Sequence, residues 1–226
     1  MIKAILFDLD ETLFDRTGSL EQFLPDQYKR HEALKQLTVE DYVEMFLSLD
    51  KRGMVPKAEL YPALLAHIGQ VDDTLAATML GEYEEGFAHF VRLAEGAEEL
   101  LLYLRQKGLL TGIITNGHTD HQMRVVYKLK LDTMVDSTLV SEKEGLRKPD
   151  PEIFWRAASR LGLKPEECMF IGDNPTADIL GAADAGMATI WVPAGTVWPE
   201  IDSPSNPGLT VTSLAGVLKM LVKIGV

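Results

Sequence analysis

Two aspartates one residue apart, Asp8 and Asp10, stand directly after the apolar run Ile2, Ala4, Ile5, Leu6 and Phe7 in the opening stretch MIKAILFDLDETLFD. Carboxylates at that spacing either splay into water or share a cation, because two unit charges about 4 Å apart repel by roughly 4 kcal/mol at an effective dielectric of about 20. Alone, the pair also reads as a solvated turn after a strand. Other stretches supply polar groups that change its meaning. Thr115, Asn116 and Gly117 follow LLTGIIT; a hydroxyl beside free backbone N–H groups at a helix start is either a phosphate cradle or an ordinary N-cap. Lys148 precedes Pro149 and Pro151, whose fixed backbone angles would hold it in one pose. The stretch GDNPTAD after CMFI carries Asp173 at a strand tip and Asp178 about one turn into the next helix. If these strand ends meet, Asp8, Asp10, Asp173 and Asp178 crowd one crevice and need a counter-ion. With oxygen ligands alone a hard cation fits, and Mg²⁺ fits best because it keeps water and substrate phosphate in its shell.

The elements that must position these residues follow from periodicity. Residues 2–7, 109–115, 137–140, 168–171 and 188–192 are short apolar or β-rich runs, as parallel strands buried on both faces present. Helical stretches over residues 97–107, 120–130, 151–161 and 176–185 alternate with them, and another over 213–224 packs on the same sheet. Such alternation implies right-handed crossovers, an α/β domain with a parallel sheet and helices on both faces, and ligands at the carboxyl ends of its strands. Residues 16–92 are different. Thr38 with Asp41 resembles a capping box ahead of Val39, Tyr42, Val43, Phe46 and Leu47, which recur at helical spacing until Gly53. Further helices open at Pro56 and near Asp73, and with a weaker segment over 23–37 they make a bundle of about four members. This block separates the first strand from its sisters. It therefore reads as an α-helical domain over 16–92 inserted into an α/β domain made of residues 1–15 and 93–226.

The 226 residues are 46% hydrophobic, enough for a sizeable core, and carry a formal net charge of −12. That charge repels nucleic acid polymers and anionic membrane surfaces, so an anionic substrate must be drawn in by local cations or a metal. No run of about 18 apolar residues occurs, and no basic and then apolar leader opens the chain, so a cytoplasmic protein is expected. Cys168 is the single cysteine; it excludes an internal disulfide and reads as a buried, inert thiol. A monomer or weak homodimer is expected. His118 and His121 invite a zinc reading, but no third ligand accompanies them, and His118 could instead touch substrate. Lys51 and Arg52 suit the end of the helix before them through its dipole, and Trp191 and Trp198 read as packing residues beside a loop that could shape the crevice.

DLDET with Asp8 and Asp10, Thr115 in TNG, Lys148 in KPDP, and GDNPTAD with Asp173 and Asp178 resemble, in order, the motifs of the haloacid dehalogenase-type (HAD) phosphohydrolases. The likeness runs from Met1 to about Val192. It implies a Rossmann-like core, and a helical insert similar to the C1-type cap that closes over small substrates. It also implies that Asp8 is a nucleophile forming an aspartyl phosphate and that Asp10 is the general acid and then the base. Thr115 and the Asn116 N–H would hold phosphoryl oxygens, with Lys148 neutralising charge. Mg²⁺ would sit on Asp8, Asp173 and the Asp10 carbonyl, supported by Asp178, Thr12 and Asn174. Dehalogenases and phosphonatases of the superfamily lack the aspartate that Asp10 represents. The activity implied is Mg²⁺-dependent hydrolysis of a small phosphorylated metabolite, a sugar phosphate or nucleoside monophosphate; a phosphomutase, or a non-catalytic binder of phosphorylated ligands, is the alternative. One departure is Glu11, where many members carry glycine, and it concerns the local turn.

Overall fold

The opening apolar run folds as strand β1, Ala4–Phe7, with every residue buried. In the computed structural model, which describes residues 1–199 and 209–224, β1 shares a parallel sheet with β2 (Leu110–Thr115), β3 (Ser137–Val140), β4 (Cys168–Gly172), β5 (Ala188–Trp191) and β6 (Leu209–Thr210). The order is β3-β2-β1-β4-β5-β6. Connections run outward from β1 to β3, then cross to β4 and run the other way, so the crevice between β1 and β4 is the topological switch point of the sheet. Phe7 is level with Ile113 of β2 and with Ile171 of β4. The residues that follow each of these positions therefore emerge together at one end of the sheet. The two-residue β6, exposed and too short to carry a periodicity, was not among the expected strands. The segment 200–208 of the loop after Val192, expected to help shape the crevice, lies outside the described residues.

By internal packing the chain divides into two compact units, Met1–Asp15 with Leu93–Val226, and Arg16–Arg92. The second contains helices α1 (Arg16–Arg30), α2 (Val39–Asp50), α3 (Lys57–His67) and α4 (Asp73–Gly86). Helix α1 begins well before the weak segment expected at Phe23 and carries Pro25 inside it. Phe23 anchors it, presenting its ring edge-on to Tyr83, Phe87 and Phe90 at 5.6 to 5.8 Å. Thr38 caps α2 by accepting the Asp41 N–H at 3.1 Å. Helix α2 stops at Asp50 rather than Gly53, because Lys51, Arg52 and Gly53 all adopt positive φ, at 47°, 58° and 84°. Asp50 pins that turn. Its Oδ2 accepts the Gly53 N–H at 2.7 Å, while Arg16 holds both carboxylate oxygens at 3.0 and 2.8 Å and Lys57 adds a further ion pair.

The first unit adds α5 (Ala97–Gln106), α6 (Thr119–Lys128), α7 (Ser141–Glu144), α8 (Pro151–Arg160), α9 (Gly181–Asp184) and α10 (Leu214–Ile224). Helix α8 starts where Asp150 accepts the Glu152 N–H and Pro151 occupies the first turn. Its Phe154 meets Phe170 of β4 edge-on, with centroids 5.2 Å apart, in a core shared with Leu6, Ile114 and Leu139. Cys168 belongs to that core, and burial pushes its thiol up to about 11. Helix α10 packs against α5. Among the described residues no helix is long and apolar enough to cross a membrane.

The Asp50 cluster carries a pH signature. Burial works against the Asp50 charge, but Arg16 and Lys57 outweigh it and hold the carboxyl below its ordinary range. A depressed folded value means the contribution is complete above the unfolded-state pKa of about 3.9 and is lost as pH falls through the lower folded value. Asp50→Asn should therefore cost about 3 kcal/mol at neutral pH in urea denaturation, as loss of one partner of a buried ion pair does, and the gap to wild type should close below about pH 4. A gap that stays constant on acidification contradicts this assignment.

Candidate active site

Asp8 leaves the end of β1 with its N–H bonded to the Ile171 carbonyl at 2.9 Å and its side chain nearly buried. Lys148, also buried, places Nζ 2.5 Å from Asp8 Oδ1 and 2.7 Å from Asp178 Oδ1. The second contact is an ion pair without hydrogen-bond alignment, and Asp178 Oδ1 has no hydrogen-bond partner among the described residues. Asp8, Asp173 and Asp178 each bring one carboxylate oxygen to within 4.8 Å of the others. Burial pushes Asp8 well above the ordinary carboxylate range, Lys148 opposes this, and Asp178, Asp173 and Asp10 add to it. For Lys148 burial disfavours the charge, but Asp178 and Asp8 outweigh it and raise the ammonium above its ordinary value.

Each of these side chains has a local reason for its place. Asn116 closes a reciprocal pair with the Lys148 backbone, donating Nδ2 to its carbonyl and accepting its N–H at Oδ1, both at 3.0 Å. The Asn116 side chain thus serves the Lys148 backbone. Asp178 lies on a π-helical turn, Pro175–Leu180, where an ordinary helix over 176–185 was expected. Asn174 opens that wider turn: its side chain accepts from Thr176 and Ala177, and its carbonyl accepts from Asp178 and Ile179. Asn174 itself is exposed, and its N–H reaches Asp178 Oδ2 at 2.9 Å. Trp191 Nε1 and Thr196 Oγ1 both donate to the Asp173 carbonyl at 2.8 Å, so Trp191 fixes Asp173 besides packing on Trp198.

Asp10 and Thr115 are joined by a residue that sequence reasoning did not single out. Gln122 of α6 donates Nε2 to Asp10 Oδ2 at 2.7 Å and to Thr115 Oγ1 at 2.5 Å. Its signal was available, since Gln122 shares the buried stripe of α6 with Val125 and Val126, where a polar side chain needs a partner. Glu11 adopts φ 60°, the left-handed conformation that glycine takes freely, which accounts for glycine being the residue expected there. Thr12 buries a hydroxyl with no hydrogen-bond partner among the described residues. His118 is exposed and pairs with Glu142 at 2.9 Å. The Thr119 N–H and His118 lower that carboxyl to about 2. Among the described residues, the one grouping of at least three potential metal-ligating side chains is the aspartate set.

The donor set suits a small hard cation. Three buried carboxylates cluster together, one ammonium pairs with two of them, Asp8 and Asp178, all donors are oxygens, and such a set suits a further cation held by few protein ligands.

Residues 2–186 match the family model for haloacid dehalogenase-like hydrolases. The chain belongs to that family. This HAD-like hydrolase is 31% identical over 205 residues to the glyceraldehyde 3-phosphate phosphatase of Pyrococcus furiosus, covering 89% of this chain and 84% of that protein. It is 28% identical over 239 residues to the human N-acylneuraminate-9-phosphatase, covering 99% and 95% of the two chains. The crystal structure of the HAD-hydrolase YfnB from Bacillus subtilis, bound to magnesium, superposes with a TM-score of 0.73 at 24% identity, covering 100% of this chain and 99% of that one. That last likeness is one of fold.

Gly172 permits the closest approach in the site: a Cβ there would lie 2.6 Å from both Cβ and Cγ of Asp178. Gly172→Ala should therefore push Asp178 off Lys148 and cost roughly 2 kcal/mol by overpacking. Urea denaturation checks this, and a variant as stable as wild type rules it out.

Proposed function

We propose that this HAD-like hydrolase, a phosphoric monoester hydrolase by class, cleaves a small phosphorylated metabolite through an aspartyl phosphate on Asp8. The observation that carries this reading is the convergence of Asp8, Lys148, Asp173 and Asp178, drawn from distant parts of the chain, at one end of the sheet. Asp8, fixed by the Ile171 carbonyl and Lys148, attacks phosphorus; the bond from phosphorus to the ester oxygen breaks, and Asp10 delivers its proton to the leaving alcohol. Asp10 then takes a proton from the water that displaces phosphate from Asp8. The Thr115 hydroxyl and the Asn116 N–H hold phosphoryl oxygens, and Lys148 offsets the charge shared by Asp8 and the phosphoryl group. Asp8, Asp173 and the Asp10 carbonyl would hold Mg²⁺, with Asp178 keeping Lys148 in place and Thr12 and Asn174 supporting the loops. The bound ion would supply positive charge to the phosphoryl oxygens. Selection of the ester falls, on this reading, to the helical unit Arg16–Arg92 acting as a cap. The relatives' names, glyceraldehyde 3-phosphate phosphatase and N-acylneuraminate-9-phosphatase, support a carbohydrate-derived phosphate as substrate.

Release of inorganic phosphate from p-nitrophenyl phosphate and from glyceraldehyde 3-phosphate tests the reading. Wild-type protein should release phosphate with Mg²⁺ and stop in EDTA. Asp8→Asn should abolish turnover and Asp10→Asn should lower it by about 10²–10⁴-fold, both with unchanged circular dichroism. Near wild-type rates in either folded variant, or full activity in EDTA, would overturn it.

A further inference from the structure

Gln122 has no role in the chemistry just described, yet it is 3% exposed and spends its amide on two residues that do. Its Nε2 bonds Asp10 Oδ2 and Thr115 Oγ1 at 2.7 and 2.5 Å. The amide faces the pair with its NH₂, and that group has one hydrogen for each oxygen. Thr115, accepting from Gln122, keeps its own hydroxyl hydrogen for another oxygen, such as a phosphoryl group presents. The reach of Gln122 is built into the backbone. Its N–H is fixed on the His118 carbonyl at 3.0 Å, and Gly117 leaves room for the side chain, since a Cβ there would lie 3.0 and 3.1 Å from Gln122 Cγ and Cδ.

We infer that Gln122 is a positioning residue: one amide sets the separation of the Asp10 carboxyl from the Thr115 hydroxyl, so that the group protonating the leaving oxygen and the group holding the phosphoryl oxygen meet one substrate from fixed places. This rests on the phosphomonoesterase reading above. In the step affected, the bond between phosphorus and the ester oxygen breaks, the bond from phosphorus to Asp8 forms, and the Asp10 proton moves to the departing oxygen. An alkoxide needs that proton, whereas a nitrophenolate leaves without it. Loosening Asp10 therefore penalises alkyl esters selectively.

The test uses the whole chain with Mg²⁺ and compares kcat/KM, which reports on steps up to the transfer to Asp8, for an alkyl phosphate and for p-nitrophenyl phosphate. Gln122→Met keeps the length and removes both donors; Gln122→Glu keeps the shape and turns an acceptor toward Asp10. Both should lose roughly 10- to 100-fold on the alkyl ester and about tenfold less on the aryl ester, with Tm close to wild type. Equal losses on the two esters, or no loss on either, overturn the inference and leave the wild-type phosphatase reading standing. A wild-type chain inactive on both esters removes that reading, and the inference with it.

Discussion

One buried ammonium decides how this end of the sheet can exist. Without Lys148, three buried aspartates would hold oxygens within 4.8 Å of one another, and each buried charge costs several kcal/mol of lost hydration unless it is paired. Lys148 answers Asp8 and Asp178 at once. Its position is therefore a constraint on everything around it. The Asn116 amide clamps its backbone, Gly172 gives up a side chain so that Asp178 can approach, and Asn174 opens a π-helical turn to present that aspartate. Burial and repulsion stored here are the local cost of a site whose charges are set before any substrate arrives.

A second group works on different physics. Asp10, Thr115 and Gln122 are tied by two hydrogen bonds from one amide, not by an ion pair. Lys148 settles charge, and Gln122 settles direction. Both depend on the parallel register that levels Phe7 with Ile113 and Ile171, because a shift of one residue would turn each strand end to the other face of the sheet.

Much of this was legible in the sequence, and the limits have physical causes. Short apolar runs ending in Asp8, Thr115 and Asp173 announce buried parallel strands, and such strands leave their terminal residues at a common end. Gln122 was not legible by motif, because its partner Asp10 lies 112 residues away and only the path of α6 brings them together. The Asn116 side chain was missed for a similar reason, as its partner backbone is 32 residues on. Periodicity over 176–185 is helical, and the double acceptance by Asn174 that widens the turn leaves no trace in periodicity. Helix α1 was obscured by Gly18 and Pro25, whose low helix propensity is overridden by the aromatic packing of Phe23.

On the proposed reading, Asp8, held by Lys148, accepts the phosphoryl group. Acid-quenching the protein during turnover of a phosphomonoester with Mg²⁺, reducing with borohydride and mapping the peptides tests it most directly. Label at Asp8, as the homoserine that a reduced aspartyl phosphate yields, is the predicted result. Phosphate release under the same conditions with Asp8 unmodified, or with label on another carboxylate, would contradict the account.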